Sequence, residues 1–351
     1  MPATDPLIPE EKSSIYPTGK LPFGDLSRLL ARYAQKDPRV VIPAGIGKDA
    51  AVISFGDRYL VAKTDPITFA TEEIGWYAVN VNANDIAAAG GIPRWFLATL
   101  LLPEGKTGPK EVEAIFAQIA GACRELGITL CGGHTEITHG LDRPIVVGQM
   151  LGEAAGEKLV SPEKIRVGDE VILTKGIAVE GTALIAREWK GLEELLDEKQ
   201  IEQARNLLHS PGISVVREAR IAGEAAEVHA MHDPTEGGLA TGLLELAEAA
   251  GVGMRVESDK IPILRETALI CEKLELDPLG LLASGAMMIA VAAKDSMKVL
   301  RALGAEGISA AVIATVWERE KGVKWADRGE VRDLPLFARD EVARLFEGNK
   351  R

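Results

Sequence analysis

Residues 79–93, VNVNANDIAAAGGIP, constrain this chain more than any other stretch. They read as a small-residue helix packed against another element, broken only by Asn84-Asp85. On that helix Asp85 shares a face with Ala78, Val81, Ala88 and Ala89, with Asn82 as its polar companion. A carboxylate on an apolar stripe is costly unless something pairs with it. Whatever fold forms here has to supply that partner.

At 351 residues the chain is long enough for two domains with separate cores. Residues 1–20 read as a flexible arm, 21–160 as an N-terminal domain and 161–340 as a C-terminal one. The boundary falls in the linker near 155–168. LPFGDLSRLLARYAQ is an amphipathic helix with Leu26, Leu29, Leu30 and Tyr33 on one side. RYLVAKTDP is a strand expected to stop at Asp65-Pro66, because proline pushes the residue before it out of the helical region. Thr107 is expected to cap a helix from Pro109 to about Leu126. GITLCGG (127–133) is a strand running into a double glycine, and RPIVVGQMLGE is another strand.

The second half alternates again. DEVILTK is a strand, and GTALIAREW and 193–208 are helical. HDPTEGGLATGLLELAEAAG is a capped helix stopped by Gly251. GAMMIAVAA is a central strand, followed by a helix over 295–303 and a final strand, SAAVIATVWE. Two α+β domains fit this order.

Composition excludes several function classes. The net charge of −12, with no block of Lys and Arg, argues against a nucleic-acid surface. No run approaches the ~18 apolar residues of a membrane helix, and MPATDPLIPEEKSS lacks a signal-peptide pattern, so a cytoplasmic protein with no membrane association is expected. Cys123, Cys131 and Cys271 sit singly. All three are expected to be buried, unreactive thiols of a reducing compartment.

Five segments place acidic or hydroxyl residues beside small ones at strand ends or helix starts: GIGKDAAV (45–52), KTDP (63–66), NANDIAAAGGIP (82–93), GGHTEIT (132–138) and HDPTEGG (232–238). Singly each has a plain reading. Asp49 fits a turn, Asp65 a strand end and Asp85 a neutralised core group. Asp233 fits an N-cap, with Pro234 and Glu236 completing a capping box. Jointly they point elsewhere. Carboxylates brought together repel and call for a divalent cation. Gly132-Gly133 and Gly237-Gly238 let backbone N–H groups approach an anion. Without zinc-type Cys/His spacing, a Walker A motif or GxGxxG, the combination suggests Mg²⁺ and a polyphosphate on neither a P-loop nor a Rossmann site.

In this order the motifs resemble the aminoimidazole ribonucleotide (AIR) synthetase superfamily, over roughly residues 19–320. The superfamily includes thiamine-monophosphate kinase, selenophosphate synthetase and the hydrogenase maturation dehydratase. The resemblance rests on the G-x-G-x-D-A-A-V at 45–52, T-D-P at 64–66, N-D-I-A-A-A-G-G-I-P at 84–93, G-G-H-T-E at 132–136 and D-P-T-E-G-G-L-A at 233–240. The second half is most similar to the branch that dehydrates a carboxamide to a nitrile at the expense of ATP. The resemblance implies an N-terminal sheet that pairs across a homodimer into a barrel, and a C-terminal α/β sandwich domain, with ATP and Mg²⁺ in the cleft between. It implies Asp49, Asp65 and Asp85 as metal ligands. Lys48, Asn84, Gly132, Gly133, His134, Thr135, Gly237 and Gly238 would bind the nucleotide. Lys175, Asp233 and Thr235 would act on a small-molecule substrate whose amide-like or hydroxyl oxygen takes the phosphoryl group as ATP becomes ADP.

Three departures bear on that reading. Lys48 stands where the family often has a second acidic residue, and His134 where an acidic residue is common. The chain ends RLFEGNKR, with no cysteine after Cys271, whereas the nitrile-forming branch carries its substrate on a terminal cysteine. The expectation is therefore a paralogue with the same ATP machinery and a different acceptor. A small-molecule kinase of the thiamine-monophosphate type and a non-enzymatic ATP-binding regulator are the alternatives.

Overall fold

The computed structural model describes residues 16, 19, 21–43, 45 and 47–348. The expected arm at 1–20 lies almost wholly outside the described residues. The first half runs α1 (Phe23–Tyr33), β1 (Val40–Ile42), β2 (Ala51–Phe55), β3 (Arg58–Ile67), α2 (Ile74–Ala88), β4 (Ile92–Pro103), α3 (Pro109–Leu126), β5 (Thr129–Thr138) and β6 (Ile145–Ala154). Its strands form one sheet in the order β1-β2-β3-β6-β4-β5, antiparallel except for β4 beside β5. After two short turns of linker come β7 (Asp169–Thr174), α4 (Val179–Glu188), α5 (Glu198–Asn206), α6 (Val216–Ala225), β8 (Val228–His232), α7 (Gly238–Ala250), β9 (Gly253–Glu257) and α8 (Arg265–Leu274). The chain continues with β10 (Met288–Ala292), α9 (Ala293–Ala305), β11 (Ala310–Trp317), β12 (Val323–Asp327), β13 (Glu330–Asp333) and α10 (Glu341–Gly348). The second sheet has the order β13-β12-β9-β11-β7-β10-β8. This is a two-domain α+β fold.

The helix α2 answers the opening constraint. Every residue in it except Trp76 is buried. A helix that is apolar all round belongs inside, and α2 packs on β3, β6 and α3 of its own domain and on α6 and β8 of the other. Its three asparagines and Asp85 each find a partner. Asn82 Nδ2 donates to the Asp65 carbonyl across 3.2 Å, which ties the helix to the end of β3. Asn84 donates to the Ile213 carbonyl and accepts from the Val215 N–H, both at 2.8 Å, which ties it to the second domain.

Several local expectations need correction. β3 does not stop before Pro66 but runs on to Ile67. The neighbouring β2 pairs only as far as Ala62, so beyond it β3 has a free edge where no N–H is needed. Gly108, and not Thr107, precedes α3, and the Thr107 hydroxyl has no partner among the described residues. The double glycine does not end a strand, because β5 continues through it beside β4. Gly133 is required there: a Cβ would lie 1.9 Å from the Ala98 carbonyl oxygen. Nor is β11 the last strand, since β12, β13 and α10 follow.

Candidate active site

Asp49, Asp85 and Asp233 bring ligand oxygens within 4.8 Å of one another. They come from three elements and both domains. Asp49 sits on the turn before β2, Asp85 on α2, and Asp233 directly after β8. The turn is pressed against α7: Gly47 has φ of 66°, and a Cβ there would lie 2.6 Å from the Glu245 carbonyl oxygen. Asp85 and Asp233 are 3% and 1% exposed. Asp85 Oδ2 and both Asp233 oxygens have no hydrogen-bond partner among the described residues.

The capping-box reading of Asp233 is thus overturned. The helix begins at Gly238, five residues later, because Gly237 and Gly238 both take left-handed φ. Asp233 is left in the interdomain seam.

Lys63 is the member that inspection of the sequence missed. It lies two residues before Asp65, on the same face of β3. Its Nζ donates to Asp85 Oδ1 at 3.1 Å and lies 3.5 Å from Asp65 Oδ2. Asp65 therefore joins through the lysine and is outside the tight triad. His232 was missed as well. Its Nδ1 is 2.7 Å from Asp49 Oδ1 and its Nε2 3.1 Å from Glu245 Oε2, which fixes the Asp49 carboxylate from behind.

The electrostatics follow from four aspartates around one lysine. Burial raises Asp85 to about 7, although Lys63 pulls it back, and Asp49 and Asp65 push it further up. Burial, then Asp85 and Asp49, raises Asp233 well above the carboxylate range. Burial disfavours charge on Lys63 and His232, but the surrounding carboxylates outweigh it and raise both. Buried carboxylate oxygens without donors, at mutual ligand spacing, fit a hard divalent cation with oxygen ligands.

Other expected residues fall elsewhere. Asn84 is buried in the domain contact described above, with its amide nitrogen and oxygen each making one bond to the backbone of the second domain. Lys48 pairs with Glu163 of the linker at 2.8 Å. Lys175 is buried and fully paired: its ammonium contacts Glu218 at 2.8 Å and donates to the carbonyls of Gly212 and Ser214. The Gly237 N–H is taken by the Asp340 carboxylate at 2.7 Å, and Gly238 is required by the approach of the Leu279 carbonyl. Gly132, Gly133, His134 and Thr135 lie on the exposed strand β5, where His134 sits 3.5 Å from Glu136. One row of the sheet runs Asp65, Gly148, Ala98, Gly133, so the GGHT segment is three strands from the aspartates within a single chain. Cys123 and Cys271 are buried, their thiols pushed up to about 11 and 12 chiefly by burial. Cys131 is exposed, against expectation.

Two α+β domains closing on a shared aspartate cluster define the AIR synthase class of protein. The family model of the AIR synthase related protein N-terminal domain matches residues 47–154, and that of the C-terminal domain matches 166–326. The chain belongs to the AIR synthase related family, in its hydrogenase-maturation branch. It is 31% identical over 279 residues to the carbamoyl dehydratase HypE of Rhizobium leguminosarum bv. viciae, covering 77% of each chain. It is 30% identical over 302 residues to the carbamoyl dehydratase HypE of Escherichia coli, covering 82% of this chain and 84% of that one. A crystal structure of the hydrogenase maturation protein HypE in complex with ATP superposes with a TM-score of 0.69 at 22% identity, covering 91% of this chain and 96% of that one. That likeness is one of fold. No helix among the described residues is long and apolar enough to cross a membrane.

Proposed function

We propose that this protein binds ATP with Mg²⁺ in the interdomain cleft and transfers the γ-phosphoryl group to an amide-like or hydroxyl oxygen of a small acceptor, releasing ADP. The observation that carries the reading is the convergence of Asp49, Asp85 and Asp233 with buried oxygens unpartnered. Relatives named carbamoyl dehydratase and a fold neighbour solved with ATP support it. Asp49, Asp85 and Asp233 would hold the cation, which neutralises charge on the phosphates when bound. Lys63 keeps Asp85 and Asp65 in register with each other, and His232 holds the orientation of Asp49. Thr235, beside Asp233 on the same loop, faces the acceptor.

The exposed edge strand supports the homodimer. All ten residues of β5 are exposed or half-buried, with Ile137 54% exposed. A long uncovered edge invites pairing with another chain. A second copy seated there would also explain how Gly132, Gly133, His134 and Thr135 take part in a nucleotide site.

Titrating nucleotide into the wild type and Asp85→Ala, with and without Mg²⁺, tests the site. Mg²⁺-dependent binding that the variant loses is the expected result, and equal affinity in all four cases overturns it. Turnover with extract metabolites should give ADP, and AMP as the product contradicts the reaction type. A stable phosphorylated product would identify a kinase, and free phosphate with loss of water a dehydratase.

A further inference from the structure

The frame around Lys63 places it among the aspartates. Alternation along β3 puts Lys63 and Asp65 on one face, about 6.6 Å apart along the strand. Helix α2 meets that face with Asn82 and Asp85, about 4.5 Å apart along its axis. Gly148, opposite Asp65 on β6, lets the helix come close: a Cβ there would lie 2.3 Å from Asn82 Nδ2. Asn82 then ties to the Asp65 carbonyl at 3.2 Å, and Asp85 Oδ1 meets the Lys63 ammonium at 3.1 Å. Two ties in register hold the lysine in place.

The two oxygens of Asp85 have different surroundings as a result. Oδ1 takes the Lys63 bond, whereas Oδ2 finds no donor among the described residues. Asp233 has both oxygens in that state, and Asp49 completes the set of three with ligand oxygens within 4.8 Å. Asp65 is outside that set, its Oδ2 lying 3.5 Å from the Lys63 ammonium. Phosphoryl-transfer sites with two metals hold the ions about 3.5–4 Å apart, where one carboxylate can bridge them. Asp85 has the form of such a bridge, with an ammonium on one oxygen.

Resting on the reading of the cleft given above, we infer that the Lys63 ammonium is a built-in second cation. It fills the position between Asp65 and Asp85, so the cluster takes a single divalent ion, on Asp49, Asp85 and Asp233. Asp65 is thereby withdrawn from the metal ligands and serves to hold the lysine. The ammonium carries one charge where a metal ion carries two, and it brings three N–H donors and no acceptor.

Electron paramagnetic resonance of Mn²⁺ tests this, because it counts bound ions and shows whether two of them share a carboxylate, which couples their spins. Mn²⁺ alone is titrated into the full-length wild type, Lys63→Met, Lys63→Gln and Lys63→Arg. The wild type and Lys63→Arg should bind one uncoupled ion per protomer. Lys63→Met and Lys63→Gln should bind a coupled pair. Lys63→Gln keeps an N–H for Asp85, so a folding defect in Lys63→Met does not decide the result. Adding Asp65→Asn to Lys63→Gln should remove the second ion, whereas Asp65→Asn alone should leave the count at one. A coupled pair in the wild type overturns the inference, and so does no ion there. A single ion in both uncharged variants, or a second ion that survives Asp65→Asn, overturns it too. Nucleotide affinity is read separately, by calorimetry with a non-hydrolysable ATP analogue and Mg²⁺. Its absence would sink the ATP reading, while an ion count that depends on Lys63 would still stand.

Discussion

Two buried lysines show how differently the fold treats similar chemistry. Lys175 meets one carboxylate, Glu218, and two carbonyls, so all three of its ammonium hydrogens are used and no charge is left over. Lys63 meets Asp85 and Asp65, with Asp49 and Asp233 close behind, and three aspartate oxygens find no donor among the described residues. The first arrangement is closed: adding a ligand would have to break it. The second has an excess of carboxylate, which either protons on Asp85 and Asp233 or a further cation can balance. Burial of charge alone therefore does not mark a functional site. An unbalanced set does.

The largest expected effect comes from opening the closed pair. Lys175→Met leaves Glu218 buried without its counter-ion, which should cost about 3–5 kcal/mol of stability. Chemical denaturation with and without Mg²⁺ should show the same loss in both. A variant of normal stability that cannot turn over ATP would return Lys175 to the catalytic role its strand-end position suggested.

Removing charge from the open cluster should act the other way. Asp233→Asn deletes a carboxylate with no donor, so in EDTA the variant should equal or exceed the wild type in Tm. The Mg²⁺-induced stabilisation, on the order of 1–2 kcal/mol at saturating metal, should be lost. The pH dependence carries the same sign. The folded pKa of Asp85, about 7, lies above its unfolded value of 3.8, so the native state holds the extra proton between them. Metal-free stability should fall as pH rises through that window, and Mg²⁺ should flatten the fall. Scanning calorimetry from pH 5 to 8 checks both. A destabilised Asp233→Asn with no Mg²⁺ response in the wild type would make the cluster ordinary core.

The sequence carried part of this contrast. Asp49, Asp65 and Asp85 were legible because acidic residues beside small ones at element ends are conspicuous against an apolar background. Lys63 was not, since a lysine alternating along a strand looks like any solvent-facing residue until its partners on α2 are in place. Asp233 looked like a cap because its neighbours satisfy the local capping pattern, but Gly237 and Gly238 delay the helix through a backbone conformation that composition does not announce. The strand at 127–133 does not end at its double glycine but runs on through the GGHT stretch, because β4 supplies its hydrogen bonds from more than thirty residues away. Local signals were readable. Pairings between distant segments, which decide whether a charge is balanced, were not.

Lys48 gives the smallest effect and the finest test. It adjoins Asp49 and was expected to bind phosphate, yet its Nζ lies 2.8 Å from Glu163, a residue whose side chain is 55% exposed. Burial raises the Glu163 carboxyl, but its contacts with Lys48 outweigh this and hold it below the usual value. The pair belongs with the balanced set, and being half in solvent it should contribute only about 0.2–1 kcal/mol. Lys48→Ala should therefore lower Tm slightly, less so at high salt, and change Mg²⁺–nucleotide affinity by less than about threefold. Glu163→Gln separates balance from function, because it frees Lys48 without removing it. If the freed lysine tightens nucleotide binding tenfold while Lys48→Ala weakens it as much, Lys48 is a phosphate ligand held in reserve by the linker, and the division between closed and open sets has to be drawn one residue further out.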